Sequence, residues 1–209
     1  MNKFFIILII TILIFSCTPN KKATPQTIDQ NQRQTTEQNT QQSPAVSTGA
    51  AAEITFTFTR QSGSASNQYA VWIEDASGQH VKTLYASRWT ANGGYSRRPT
   101  SIPLWVKQSG LANMSRAQVD ALSGATPSTG KMTYIWDGTN SSGAAVPDGN
   151  YMLILEGTLR WENQAYYRAP LALGQGAAAA QVSVEYVSGQ RDTNAERGMI
   201  REVGVRVLR

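Results

Sequence analysis

Apolar and polar residues alternate strictly from Glu53 to Arg60. Ile54, Phe56 and Phe58 fall on one side, Thr55, Thr57 and Thr59 on the other. A period of two marks a half-buried strand. Tyr69 to Glu74 predicts a second strand. Asp75-Ala-Ser-Gly78 is a turn, from which Val81 to Tyr85 returns as the other arm of a hairpin. Met132 to Trp136 reads as a further strand, followed by dense turn signals at Asp137 to Gly143 and Pro147-Asp-Gly149. Tyr151 to Arg160 is a long strand with Tyr151, Leu153 and Leu155 on one face. Tyr166 to Leu173, Val182 to Val187 and Ile200 to Leu208 complete the set. Seven or eight short strands separated by turn residues predict a mainly β fold, an antiparallel β-sandwich of immunoglobulin-like type.

The stretch from about 87 to 129 breaks the alternation. Pro99 to Gln108 and Ser115 to Leu122 predict short helices, with Ser115 as N-cap and Gln118 at the capping-box position. A long ordered insertion in a compact domain is more often functional than accidental.

A different pattern opens the chain. Lys3 is followed by an apolar run, Phe4 to Phe15, interrupted only by Thr11. At about twelve residues it is short of the roughly twenty a spanning helix needs, and it predicts a secretory signal, residues 1–16. The end of the run, Ile14-Phe15-Ser16-Cys17, resembles the bacterial lipobox. That resemblance implies diacylglyceryl and fatty-acyl (palmitate-type) modification of Cys17. Several acyl chains anchor stably where one is marginal. Thr18 at the following position points to an outer-membrane anchor facing the periplasm. Residues 17–52 are then the lipidated Cys and a Gln/Thr-rich tether without an aromatic residue. Such a stretch buries too little apolar surface to offset chain entropy, and as a flexible coil it spans on the order of 30 Å. The domain proper is expected at 53–209.

Cys17 is the only cysteine, so the exported domain folds without a disulfide. The net charge is +5, with its bases dispersed apart from Arg97-Arg98 and the C-terminal segment. A basic exported domain favours anionic surfaces. No nucleic-acid recognition motif accompanies the charge, and nucleic acid is not an expected partner. The lone histidine, His80, has no nucleophile-elbow motif beside it, so a Ser-His-Asp hydrolase is not predicted. One histidine and one lipidated cysteine make no zinc site, and Asp137 to Asp148 lacks the calcium-loop spacing. No metal ligands are assigned.

Trp136-Asp-Gly-Thr-Asn-Ser-Ser-Gly-Ala-Ala-Val-Pro-Asp-Gly-Asn-Tyr151 resembles the signature of the Ig-like segment of the flagellar hook-capping protein. The resemblance implies a core position for Trp136 and Tyr151 and a fold rather than an activity. A wider pattern runs from Ile54 through His80-Val-Lys-Thr-Leu84, Trp89 and Pro103-Leu-Trp105 to Asp120-Ala-Leu-Ser-Gly-Ala-Thr126-Pro. It is similar to a family of periplasmic domains of unknown function, found in some bacteria beside flavin-transferase and membrane electron-transfer genes.

Asp120-Ala-Leu-Ser123-Gly124-Ala125-Thr126 also resembles the acceptor sequence of the flavin transferase, which joins FMN to the final hydroxyl residue through a phosphodiester. By that resemblance Thr126 is the nucleophile, Gly124 and Ala125 give the transferase access to the backbone, and Asp120 orders the loop. Pro127 biases Thr126 towards an extended conformation. Read from the residues alone, Ser123 to Pro127 is a tight turn joining a helix to the Met132 strand. Five tryptophans and eight tyrosines add an aromatic set. Trp72 and Trp136 are expected in the core, and Trp89 and Trp105, in the insertion, are the candidates for a surface role. Arg97-Arg98 is an ordinary solvated pair or an anion-attracting one.

The leading reading is a lipid-anchored, extracytoplasmic Ig-like module without catalysis or cofactor, acting by interaction with an envelope protein. The alternatives are a covalent flavin carrier with FMN on Thr126, loaded by a flavin transferase, and a glycan-binding sandwich.

Overall fold

The computed structural model describes residues 49–63, 66–189 and 194–209. The signal, Cys17 and the tether up to residue 48 lie outside the described residues. Among the described residues ten strands form two sheets: β1 Ala52–Phe58, β2 Ser66–Asp75, β3 His80–Ser87, β4 Ser123–Gly124, β5 Gly130–Trp136, β6 Gly149–Arg160, β7 Asn163–Leu173, β8 Ala178–Ala180, β9 Ser183–Val187 and β10 Ile200–Val207. One sheet has the order β5-β1-β10-β8, the other β4-β3-β2-β6-β7-β9. All neighbours are antiparallel except β3 and β4. The mainly β sandwich read from the alternation is the fold.

The main core lies between the sheets. Ile54, Phe56 and Phe58 of β1 meet Tyr69, Val71 and Ile73 of β2, Leu153 and Leu155 of β6, and Val205 and Val207 of β10. Trp136 is fully buried and meets Tyr151 edge-on, with centroids 5.1 Å apart. Its indole N–H donates to the Thr139 carbonyl at 2.8 Å, and the Tyr151 hydroxyl donates to the Pro147 carbonyl at 2.8 Å. The turn-rich segment between them is therefore stitched to the two aromatic anchors, with both polar tips satisfied. The turns owe their shape to short polar side chains: Asp75 accepts from the Ser77 and Gln79 amides, and Asn140 from the Ser142 and Ala144 amides.

β2 has no polar face. Its run Tyr69-Ala-Val-Trp-Ile73 sends alternate residues into two different cores. Ala70 and Trp72 point away from the main core and join Ala86 and Ile154 under the insertion, where they meet Ala91, Ile102, Trp105, Leu111 and Val119. A strand covered on both faces reads as a continuous apolar run. The insertion consists of a helical turn at Thr90–Gly94 running into α1 Tyr95–Arg97, then α2 Pro103–Gln108 and α3 Arg116–Leu122, with a short 3-10 turn at Leu111–Asn113 between α2 and α3. The helix expected from Pro99 begins only at Pro103, where proline occupies the first turn. Trp105, taken as a surface candidate, is fully buried. Its indole N–H donates to Thr83 Oγ1 at 3.0 Å, which lets the ring sit inside a core without an orphaned donor.

Two strands escaped the sequence pattern, β4 and β8. Each is too short to show a period, and each owes its pairing to the strand beside it. Among the described residues no helix is long and apolar enough to cross a membrane.

Candidate functional site

α3 delivers the Ser123 to Thr126 segment to the edge of the larger sheet. It begins at a full capping box. Gln118 N donates to Ser115 Oγ at 3.3 Å, and Ser115 N donates to Gln118 Oε1 at 2.8 Å. Val119 anchors it in the second core. At Ser123 the chain turns extended, with φ −109° and ψ 142°, and runs beside the end of β3. The pairing is parallel, with Ala86 opposite Ser123 and Ser87 opposite Gly124.

Tyr85, on the inward side of β3, holds this segment. Its hydroxyl lies 3.0 Å from the Ala125 carbonyl and 3.2 Å from the Gly124 carbonyl and donates to them. Its ring is stacked on Tyr69 at 4.7 Å and tilted against Tyr134 at 5.2 Å, and the Tyr69 and Tyr134 hydroxyls are bonded at 2.7 Å. Burial raises the pKa of Tyr85 and Tyr134, so both remain hydroxyl donors. A Cβ on residue 124 would sit 2.7 Å from the Tyr85 ring, which explains the glycine. The sequence reading gave Gly124 to the approach of a second protein. In the structure it accommodates Tyr85.

Beyond Ala125 the chain crosses from the edge of one sheet to β5 in the other. It is fastened again at Thr129, whose Oγ1 accepts from Arg60 N at 2.9 Å. Thr126 lies between the two fastenings, half-buried, and its hydroxyl makes no hydrogen bond among the described residues. Ala125 beside it is exposed. Ser123, the other hydroxyl of the motif, is buried, with no hydrogen-bond partner for Oγ among the described residues. Asp120 does not order the loop as expected. It follows the buried Val119 on the helix and so points to solvent, where Arg116 lies 3.8 Å away.

The other candidates fall elsewhere. Trp72 and Trp136 are core, as expected, and Trp89 is 40 % exposed. His80 Nε2 shares a hydrogen bond of 2.8 Å with Thr83 Oγ1. Lys82 is paired with Asp137 at 2.9 Å. Among the described residues no group of three or more His, Cys, Asp or Glu could hold a metal ion. A cavity of about 370 Å³ has His80, Leu84, Leu122 and Ile135 in its wall, and a larger one of about 670 Å³ lies against Asp75, Tyr151, Pro170 and Ala179. Neither is lined by any residue from Ser123 to Thr126.

Sequence reasoning missed Tyr85 and Glu156. Glu156 is fully buried in β6, and its carboxylate accepts from Leu104 N at 3.0 Å and Trp105 N at 2.7 Å. It caps α2 and so fixes the insertion to the sheet. A glutamate inside the apolar run Leu153 to Leu159 was the available signal. Desolvation pushes its pKa up to about 7, against the hydrogen bonds and the Arg168 charge that pull it down. Desolvation pushes His80 the other way, to about 4.

These two shifts oppose each other in the pH dependence of stability. Glu156 keeps its proton longer in the folded state, so its contribution is full below about pH 4.5 and is lost as pH rises through about 7. His80 is neutral when folded, so its contribution is full above about pH 6.5 and is lost as pH falls through about 4. Between pH 4.5 and 6.5 the two slopes nearly cancel. Glu156→Gln is expected to expose the histidine limb, with unfolding free energy rising by about 1–2 kcal/mol over that window. Urea titrations at three pH values measure it. A slope equal to that of the wild type would remove Glu156 as the opposing group.

Residues 51–193 match the model of a family described as "Predicted periplasmic protein (DUF2271)". The chain belongs to that family. The matched span covers the first nine strands and the whole insertion, Thr126 included. The periplasmic location in the DUF2271 description agrees with the export read from the N-terminal apolar run. No curated protein and no solved structure matches the chain.

Proposed function

We propose that this protein is an exported, lipid-anchored module of the cell envelope, without catalysis of its own, that carries FMN covalently on Thr126. One observation carries the reading. In a loop fastened on both sides, by Tyr85 and by Thr129, the half-buried Thr126 hydroxyl makes no hydrogen bond among the described residues; Ser123, also unbonded, is buried, and Ser128 lies outside the motif. A hydroxyl that a tight turn needed for its own stability would be bonded into the turn. One that a second enzyme must reach is left free on a fixed backbone.

The covalent step belongs to the transferase. Thr126 Oγ1 bonds to the flavin-bearing phosphorus of a flavin dinucleotide, the bond to the departing nucleotide phosphate breaks, and the hydroxyl proton passes to a base of the transferase. When bound, the flavin supplies one- and two-electron transfer. The chain supplies position: the Cys17 acyl chains keep it at the membrane, the tether gives it reach, and the sandwich edge holds the half-buried Thr126 between the fastenings at Tyr85 and Thr129.

A second reading, interaction with an envelope protein and no flavin, is favoured by β9. This edge strand of the larger sheet exposes Val184, Tyr186 and Val187, and an exposed edge is a template for strand addition. The intact mass of the mature protein from its native host separates the two. The carrier is expected to show the acyl groups and one FMN phosphodiester together. Protein without flavin, from cells in which the transferase is confirmed to be present, refutes the carrier and leaves the interaction module.

A further inference from the structure

The cavity of about 370 Å³ takes its walls from the elements that hold the Ser123 to Thr126 segment. Leu84 of β3 precedes Tyr85, whose hydroxyl holds the Ala125 carbonyl. Leu122 of α3 directly precedes Ser123. Ile135 belongs to β5, the strand to which the chain crosses after Ala125. Thr126 follows Leu122 by four residues, so their Cα atoms lie at most about 14 Å apart. The cavity thus begins one residue short of the segment and contains none of it. A group carried on an extended arm requires that arrangement. The ribityl phosphate spans the gap, and the ring lies beyond it.

The wall suits a flat, neutral, largely apolar ring. Leu84, Met114, Leu122 and Ile135 are its apolar part. Lys82 lies in the wall too, but its Nζ donates to Asp137 at 2.9 and 3.0 Å and to Thr139 Oγ1 at 2.6 Å. With that charge neutralised the wall favours the ring over the phosphate. Two donors remain among the described residues. Trp105 gives its indole N–H to Thr83 Oγ1 at 3.0 Å, and the Thr83 proton has one acceptor, His80 Nε2 at 2.8 Å. This relay sets the imidazole proton on Nδ1. Gln118 spends its side-chain carbonyl on Ser115 N at 2.8 Å, which leaves its amide N–H groups. An apolar cavity of this size with a few placed donors is the usual form of a small-molecule site.

We propose that this cavity receives the isoalloxazine ring of the FMN on Thr126, the ring lying among Leu84, Leu122 and Ile135 with its carbonyl edge toward His80 and Gln118. This rests on the carrier reading. It adds residues that hold the ring to a motif that supplies only the point of attachment.

The test uses the full chain co-expressed with a flavin transferase and reads flavin anisotropy, quenching by iodide and intact mass. The docked ring is expected to show an anisotropy several-fold above that of free FMN and several-fold less quenching by iodide. Ile135→Phe and Ala121→Leu reduce the space, the first from outside the acceptor motif and the second from within it. Each should release the ring, lowering the anisotropy and restoring iodide access at an unchanged flavin mass. Gln118→Glu keeps the acceptor for Ser115 N and sets a negative charge where the amide stood, so it should lower the flavin midpoint potential in a reductive titration. Full loading with iodide access equal to that of free FMN, protection that survives both cavity-filling variants, or a potential unmoved by Gln118→Glu overturns the placement and leaves the carrier standing. No loading of the wild-type chain overturns the carrier, and the placement with it.

Discussion

Thr126→Ala is expected to abolish flavin attachment completely and to leave the fold almost untouched. The two halves of this result come from the same geometry. Attachment needs an oxygen nucleophile at this position, and alanine has none. Stability does not need that oxygen, because the hydroxyl makes no hydrogen bond among the described residues and the backbone on either side is held by Tyr85 and Thr129. Losing a buried hydrogen bond costs about 1 kcal/mol. Here there is none to lose, so the change should stay within about 0.5 kcal/mol, as for other surface substitutions. Urea denaturation and the intact mass of protein co-expressed with the transferase measure both halves. Flavin retained on the alanine variant would move the acceptor to another hydroxyl. Ser123 is buried, which leaves Ser128 or Thr129. Asp120→Ala offers a sharper contrast. Among the described residues its only ion pair is an exposed one with Arg116, so stability has little at stake, and any fall in loading reports recognition by the transferase.

The sandwich was legible because most of its strands expose one face. Ile54, Phe56 and Phe58 announce both the strand and the side that is buried, and Tyr151, Leu153 and Leu155 do the same. The dense turn between Trp136 and Tyr151 declared itself through Asp, Asn and Gly, and the capping box of Ser115 and Gln118 is present as read. What stayed hidden depends on contacts between distant segments. β2 presents five consecutive apolar residues, which give no hint that Trp72 faces a second core rather than the first. β4 is two residues long and exists only because β3 has a free edge there. The glycine of the acceptor motif was read as access for a partner, but its reason is Tyr85, thirty-nine residues earlier in the chain. The sequence motif identified Thr126 as a candidate. That its hydroxyl is unbonded among the described residues, between fastenings at Tyr85 and Thr129, depends on segments distant in the chain.

Trp105→Ala is expected to cost about 3–5 kcal/mol, as for a buried large aromatic. The side chain is fully buried in the second core, among Trp72, Ile102 and Val119. Its backbone N–H, which donates to Glu156 at 2.7 Å, survives the change, so the loss reports the ring and its hydrogen bond to Thr83. Thr83 keeps His80 as a partner, which limits the polar part of the cost. The unfolding transition should remain single, with an unchanged denaturant slope. Trp72 and Ile154 in the second core alternate along the same strands with Val71, Ile73, Leu153 and Leu155 in the first, so neither core can melt alone. Val119 ties α3 to the same cluster, and α3 delivers the loop that holds Thr126. A destabilised second core is therefore expected to slow flavin attachment even where most molecules are folded. Urea denaturation gives the free energy, and the time course of mass gain with transferase gives the rate. A cost below about 1 kcal/mol would mean that the insertion does not depend on this ring, and two separate transitions would mean that it folds independently of the sandwich.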